Sequence, residues 1–321
     1  MAVVIPAWNS DRVLGAALRS LADQRLVPAE VVVVDDGSPS GDIEPIVRAS
    51  HVGARLIRAP HGGPSRTRNR GVAETSAPWL AFLDADDTWE PDKLARQWQV
   101  VESSPAELAM VSCNWLRPTE AARGPAAGTG GAAGTVGTEA AAAGPGPAGG
   151  LTRYRAGYRQ ILWRNAFQTS TALVRREAFT AAGGFNPELD GAEDWDMWLR
   201  TAAQGLWVHV AEPLVRYLDN PAGVSKDLMR VYRNGRLMLE RYLRGEGDPR
   251  IVAATGMRHL VWHDLRFGWA FDRIGERDAA RGCYEVAWQP GRRALAAEVA
   301  ATRLLPFVAR RLLRRMRRSS A

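Results

Sequence analysis

Trp79-Leu80-Ala81-Phe82-Leu83-Asp84-Ala85-Asp86-Asp87 is an apolar run that ends in three carboxylates. A short continuous apolar run reads as a buried strand. Acids crowded where such a strand surfaces repel one another unless a cation or a hydroxyl-rich ligand lies between them. The stretch therefore predicts a sheet edge with a site for a metal and a polyanion. If the chain is still extended at its end, Asp84 and Asp86 point the same way, because strand side chains alternate with a period of two. Two such oxygens can grip Mg2+ or Mn2+ while waters and diphosphate oxygens complete the shell. Reading Asp87-Thr88 as a helix-cap region explains only one of the three acids.

Outward from this stretch, short β-branched runs alternate with helical patterns: Ala2 to Ile5, Val31 to Val34, Arg55 to Ile57 and, beyond it, Leu108 to Cys113. That alternation implies βα units and a mostly parallel sheet. Ser10 is placed to cap a helix whose apolar face is Val13, Leu14, Ala17, Leu18 and Leu21. Right-handed crossovers set the strand ends along one edge, which is where open α/β sheets bind ligands.

Three of these loops carry candidate groups. In Val31-Val32-Val33-Val34-Asp35-Asp36-Gly37-Ser38 a strand runs into a turn, and its carboxylates can accept hydrogen bonds from a uracil imide or ribose hydroxyls; the same residues also make an ordinary turn. Ile5-Pro6-Ala7-Trp8-Asn9 offers a proline and an aromatic as the wall of a planar-base pocket, or simply a loop leading into a helix. Gly62-Gly63-Pro64-Ser65-Arg66-Thr67-Arg68-Asn69-Arg70-Gly71 lacks the spacing of a dinucleotide fingerprint and the lysine of a phosphate loop. It opens a helix whose amides and Arg68 face a phosphate or the acids across the site, the alternative being a solvated surface arginine.

Downstream the pattern predicts a helix near Tyr154 to Trp163, a strand near Thr171 to Val174, a helix from Glu177, a helix from Glu193 to Gln204, and a strand from Leu206 to Val210. Glu193, Asp194 and Asp196 suit a helix N-terminus. Glu193 beside Trp195 also suits a hydroxylated acceptor such as a sugar, although tryptophan at helical spacing is a core pattern too. Residues 118–150 are almost entirely Ala, Gly, Pro and Thr, a composition that cannot offset its ordering entropy and so reads as a mobile insertion.

A chain of 321 residues with 46% hydrophobic content can build one large domain and an appendage. The expected division is a domain over 1–225, a helical extension over 226–291 and a basic tail over 292–321. The net charge of +7 belongs to that tail, which holds nine arginines against one acid. The rest is close to neutral, so no nucleic-acid partner is expected. Leu304, Leu305, Phe307, Val308, Leu312, Leu313 and Met316 alternate with those arginines, the pattern of a basic amphipathic helix on an anionic membrane surface. A docked or solvent-frayed helix is the alternative, with a kink at Pro306. No run of about 18 apolar residues predicts a span. The strand at Ala2 leaves no room for a signal peptide, so the cytoplasm is the expected compartment, with the tail at the inner face of the plasma membrane. Cys113 and Cys283 match neither a zinc spacing nor a disulfide framework and are expected in the core.

Taken in order, Val4-Ile5-Pro6-Ala7-Trp8-Asn9, Val34-Asp35-Asp36-Gly37-Ser38, Arg68-Asn69-Arg70-Gly71, Leu83-Asp84-Ala85-Asp86-Asp87 and Gly183-Gly184-Phe185-Asn186 with Glu193-Asp194-Trp195-Asp196 resemble the motif series of the family 2 glycosyltransferases. The match covers about residues 2–225. The resemblance implies an α/β fold of GT-A type, a Rossmann-like, mixed, mostly parallel sheet flanked by helices. It also implies a nucleotide-sugar donor (a UDP-sugar foremost), a divalent metal such as Mg2+ or Mn2+, and inversion at the anomeric carbon; the basic tail adds the expectation of a cell-envelope glycan or lipid-linked acceptor. Position by position, Asp35 and Asp36 match the acids that contact base and ribose, with Pro6, Asn9, Arg68 and Asp84 on the donor side. Asp84 and Asp86 match the metal-binding pair, Asp86 as the usual ligand, and Asp194 matches the catalytic base. One departure stands out: after Tyr217 the chain reads Leu218-Asp219-Asn220, where the family often has an arginine and a histidine.

Two rivals are a nucleotidyltransferase and a non-catalytic sugar- or partner-binding scaffold on the same fold. The first needs a Gly-rich basic loop that Pro6 to Ser10 does not supply, and against the second stand Asp84, Asp86 and Asp194 together.

Overall fold

Ala2 to Ile5 are fully buried, and this first strand lies between two parallel neighbours. In the computed structural model, which describes residues 1–39, 41–116, 153–218 and 226–305, the chain divides into two units. The first comprises residues 1–161 and 165–223, the second residues 162–164 and 224–321.

In the first unit the strands are β1 Ala2–Ala7, β2 Glu30–Asp35, β3 Arg55–Arg58, β4 Trp79–Phe82, β5 Thr88–Trp89, β6 Leu108–Leu116, β7 Arg153–Ala156, β8 Leu173–Arg175 and β9 Leu206–Arg216. Between them run helices α1 Leu14–Ala22, α2 Glu44–Arg48, α3 Gly63–Ala73, α4 Lys93–Glu102, α5 Tyr158–Ile161, α6 Arg176–Ala181 and α7 Glu193–Ala202. The described strands form one nine-stranded sheet in the order β3-β2-β1-β4-β8-β6-β9-β5, with β7 paired to β9. β1, β2, β3 and β4 pair in parallel. β8 is antiparallel to both β4 and β6, while β6 and β9 are parallel. Six of the nine strands thus run one way, the mixed and mostly parallel sheet that the alternation implied.

The chain leaves β1 with β2 on one side and β4 on the other, which is the switch point at which such sheets open a crevice beyond their carboxyl ends. α3 is pressed flat onto this region. A Cβ at Gly71 would run into Cγ1 of Val4 and come within 3.2 Å of Cγ2 of Val34, so the glycine sets how closely helix and sheet approach. The buried face of α1 is Leu14, Ala17, Leu18, Ser20 and Leu21.

Four local expectations are corrected. Ser10 is not the cap of α1, because the helix starts at Leu14 and the Ser10 hydroxyl instead donates to the Trp8 carbonyl at 3.1 Å. The stretch Tyr154 to Trp163 begins in β7, whose residues pair with β9, and only its second half turns into α5; Gly157 breaks the helix pattern between them. Thr88 leads into β5 against β9 rather than a helix cap. β4 ends at Phe82, so Asp84 and Asp86 lie in a turn closed by Asp87 N–H on the Asp84 carbonyl at 3.0 Å, and the period-two argument does not apply to them.

The second unit contains helices α8 Leu228–Leu243, α9 Pro249–Ala254, α10 Met257–Ile274, α11 Arg277–Ala287 and α12 Arg293–Val299. Val261, Trp262, Leu265, Ala287, Ala296 and Val299 form one apolar cluster, and Tyr232, Phe267, Phe271, Ala280 and Cys283 another. Asp264 is buried in α10, where its Oδ1 accepts from the Tyr232 hydroxyl at 2.9 Å and from Arg236 Nε at 3.1 Å. Cys113 and Cys283 are free and buried, each in its own unit. No helix among the described residues is long and apolar enough to cross a membrane. The insertion at 118–150 and the tail beyond Leu305 lie outside the described residues.

Candidate active site

The loops after β1 and β2 are tied together by one serine. Ser38 Oγ donates to Asp35 Oδ1 at 2.6 Å and accepts from the Asn9 backbone N–H at 2.9 Å. Asn9 takes a left-handed φ of 49° that turns the chain out of β1 beside Pro6. Asp35 also accepts from the Ser38 N–H at 3.1 Å and lies 3.7 Å from the Arg58 guanidinium. Asp36 holds the turn that opens α3: its two oxygens accept from Gly62 N–H at 2.8 Å and Gly63 N–H at 2.9 Å. Its second oxygen is also 2.9 Å from His61 Nδ1. Gly37 is required here, since it sits at φ 72° and a Cβ would meet the His61 nitrogen at 2.8 Å. What this edge exposes is Trp8, 52% accessible, leaning on the His61 ring at 5.3 Å. A flat aromatic beside paired carboxylates is a surface for a planar, hydroxylated ligand.

The acidic turn after β4 is fixed from two sides. Ser170 Oγ accepts from Asp84 N–H at 3.0 Å and donates to Asp87 Oδ2 at 2.5 Å, while Asp87 Oδ1 accepts from Leu218 N–H at 3.1 Å. Burial, followed by the nearby charges of Asp84 and Asp86, pushes Asp87 well above the usual carboxylate range. That is the electrostatic signature of crowded acids. Arg68 is buried and donates through Nη2 to Asp84 at 2.7 Å and through Nη1 to Glu193 at 3.2 Å. Its burial works against the charge, but Asp84 and Glu193 outweigh it and hold the guanidinium more firmly protonated than in water. The surface-arginine alternative therefore fails.

Glu193 is the first residue of α7, and its other oxygen accepts from Gly191 N–H at 2.7 Å. The next residue, Asp194, accepts from Trp195 N–H at Oδ1 and from Asn165 Nδ2 at Oδ2, both at 2.7 Å. Burial, then the neighbouring Glu193, pushes its pKa up to about 7. A carboxylate so placed can exchange a proton near neutral pH. Glu193 and Trp195 are 7% and 3% exposed, and the Trp195 indole N–H donates to the Ile161 carbonyl at 2.6 Å. They do not present the open acceptor face expected of them. Both side chains are spent inside the fold, where they brace the start of α7.

The structure thus brings Pro6, Asn9, Asp35 and Asp36 to one sheet edge, and joins Asp84, Arg68 and Glu193 through ion pairs, with Asp86 in the same turn as Asp84. Sequence reasoning missed Asn165, Ser170 and His61. Asn165 and Ser170 carry no local signal, since they become partners of the acids only through strand order. His61 was legible as a neighbour of the glycine pair that opens α3.

No group of three His, Cys, Asp or Glu side chains among the described residues forms a metal cage. The acids present fit a metal of another kind. Asp84 keeps 30% of its side chain accessible, and Asp86 is half-buried beside it. Two carboxylates are the protein share typical of a Mg2+-type site that takes its remaining oxygens from phosphates and water.

A sheet of this order, with acids beyond its strand ends at the switch point, belongs to the open α/β class that binds ligands in that crevice, and the particular family follows from comparison. The chain belongs to glycosyl transferase family 2, whose model matches residues 2–179. The succinoglycan biosynthesis protein ExoW of Rhizobium meliloti is 33% identical over 125 residues, 37% of this chain and 38% of that protein. A PGL/p-HBAD biosynthesis glycosyltransferase of Mycobacterium bovis is 38% identical over 111 residues, 33% of this chain and 43% of that protein. The matches thus span less than half the length of these curated relatives. Among solved structures, S. aureus TarS in complex with UDP-GlcNAc superimposes with a TM-score of 0.59 at 15% identity, covering 91% of this chain and 92% of that one. Mannosyltransferase PcManGT from Pyrobaculum calidifontis, in complex with GDP-Man and Mn2+, gives 0.56 at 20% identity, covering 96% and 81%. At these identities the likeness is one of fold, which is of GT-A type. The family domain thus occupies the first unit of the chain.

Proposed function

We propose that the protein is a glycosyltransferase that inverts the anomeric carbon in a single displacement, moving a sugar from a nucleoside diphosphate, UDP foremost, to an acceptor hydroxyl of a cell-envelope glycan or glycolipid. The observation that carries the reading is the Arg68 bridge, which links the acidic turn at Asp84 to Glu193, the residue before Asp194. One guanidinium thus ties a polyanion-facing end to a proton-accepting end.

In this reading the base and ribose lie at the edge formed by Pro6, Trp8, Asn9, Asp35 and Asp36, with Arg68 and Asp84 toward the diphosphate. Asp194 takes the proton from the acceptor hydroxyl as its oxygen bonds to the anomeric carbon. The bond from that carbon to the diphosphate breaks, and the nucleoside diphosphate departs with the electron pair. General-base help of this kind is worth roughly 10²–10⁴ in rate. Asp86 and Asp84 would hold Mg2+ or Mn2+, which supplies positive charge against the departing diphosphate. The likeness to PcManGT, described with GDP-Man and Mn2+, and to TarS, described with UDP-GlcNAc, supports both the donor class and the metal. The basic tail would bring the enzyme to an anionic inner membrane surface, where a lipid-linked acceptor resides.

The test is a panel of UDP-, GDP- and dTDP-sugars assayed for release of nucleoside diphosphate with and without Mn2+, followed by NMR of the product's anomeric configuration. Retention of configuration, or turnover that ignores chelation of the metal, overturns the mechanism. Vesicle co-sedimentation of the chain with and without residues 306–321 tests the membrane reading.

A further inference from the structure

Asp194 is held by two donors of different kinds. One is the N–H of its own neighbour Trp195, which the start of α7 supplies in any case. The other comes from a separate segment: Asn165 lies between α5 and the strand β8, and its Nδ2 donates to Asp194 Oδ2 at 2.7 Å. An ionised carboxylate accepts at both oxygens and keeps further lone pairs for a substrate proton, whereas a protonated one must find an acceptor for its own O–H. A carboxamide nitrogen pointing at Oδ2 therefore favours the ionised, proton-accepting form and fixes the plane of the carboxylate. The Oδ1 of Asn165 is buried without a hydrogen-bond partner. A buried acceptor left unmet is costly, so the orientation of this amide is set by Asp194 rather than by its own best satisfaction.

We propose that Asn165 is a positioning residue for the transfer reaction, holding Asp194 in the orientation and charge state in which it receives the acceptor's proton. The inference rests on the reading of Asp194 as the base. The charged groups acting on Asp194 are Glu193, which opposes its ionisation, and Arg68, which favours it. Asn165 works with Arg68 against burial and Glu193.

The experiment titrates Asp194 directly, in the whole protein without ligand, through its side-chain carboxyl ¹³C shift, with the resonance assigned by its loss in Asp194→Asn. Replacing Asn165 by leucine keeps the shape and removes the donor. The expected result is an upward move of the Asp194 midpoint by about one pH unit, the scale of one hydrogen bond to a charged group. The acid limb of turnover should shift in the same direction, and KM for the donor should stay unchanged. A midpoint that stays in place overturns the proposal, even if activity falls, because a structural defect lowers turnover at every pH alike. Asn165→Ser, which keeps a polar donor on a shorter side chain and introduces no apolar group, should give a smaller shift of the same sign and serves if the leucine variant does not fold. Normal turnover by Asp194→Asn would sink the base assignment itself and this inference with it. An unmoved midpoint beside an inactive Asp194→Asn would sink only the role of Asn165.

Discussion

Arg68 donates to Asp84 at 2.7 Å from a position that leaves 7% of its side chain exposed. The same guanidinium reaches Glu193 at 3.2 Å, so a residue of α3 neutralises two acids that belong to different segments of the chain. Removing it strands both. Arg68→Met should destabilise the fold by about 3 kcal/mol, the lower end for breaking a buried pair, since Asp84 is partly hydrated. Arg68→Met with Glu193→Gln should recover part of that loss, because one uncompensated acid is then gone. Thermal or urea unfolding measures both, and a single variant as stable as the parent contradicts the bridge.

Asp86 is expected to act on metal and donor rather than on the fold. Asp86→Ala should leave the unfolding midpoint within about 0.5 kcal/mol of the parent, as for a surface change. It should also abolish the joint stabilisation by Mn2+ and UDP-GlcNAc that the proposed function predicts for the parent. Thermal shift with Mn2+ and UDP-GlcNAc added singly and together reads this, and an undiminished joint effect refutes the assignment.

On the proposed function, Asp194 links catalysis to stability. Its ordinary value is 3.8, and burial, then Glu193, pushes it up to about 7. Between these values the folded chain binds more protons than the unfolded one, so stability falls as pH rises through that window. Asp194→Asn, which cannot ionise, should therefore gain on the order of 1–2 kcal/mol over the parent at pH 8 and lose that advantage below about pH 4. It should lose turnover by roughly 10²–10⁴ above about pH 7, where the parent's carboxylate is ionised, and by less as pH falls and the parent's base is itself protonated. A Tm series across pH separates the two effects.

Lys93 is buried with its Nζ 3.7 Å from the centre of the Trp89 ring, and burial lowers its pKa from 10.5 to about 7. The unfolded chain binds the extra proton between these values, so stability climbs as pH rises from about 7 toward 10.5. Lys93→Met should flatten that slope and raise Tm at neutral pH, since a flexible apolar chain of similar length then fills the site. A slope that survives the substitution assigns it to another group.

Gly71 admits no side chain, because a Cβ there would collide with Val4. Gly71→Ala should cost about 1–3 kcal/mol through overpacking between α3 and β1, despite alanine's better helix propensity. An alanine variant of equal or higher Tm would mean that helix and sheet separate at little cost.

The strands were legible because burial writes itself locally. Val31 to Val34 and Trp79 to Phe82 are continuous apolar runs of the length of a strand buried on both faces, and both are strands. Tyr154 to Trp163 was misread because four residues that pair with β9 carry no pattern strong enough to separate a strand from a helix start. The acids of the candidate site were legible by type and by their place after β2, after β4 and at the start of α7. Their relations were not: Asp36 is occupied by the α3 turn, and Glu193 and Trp195 face inward.

The amino-acid sequence by itself determined the longer buried strands and the acids at their ends, but not the short strands β5 and β7, since periodicity and composition act over a few residues at a time. Only the tertiary structure decided which groups meet. Asn165 and Asp194 are 29 residues apart, Asp87 and Ser170 are 83 apart, and Arg68 and Glu193 are 125 apart. Hydrogen bonds and ion pairs over such separations depend on the β4–β8–β6 strand order and on how α3 and α7 are set against it, which no local pattern encodes.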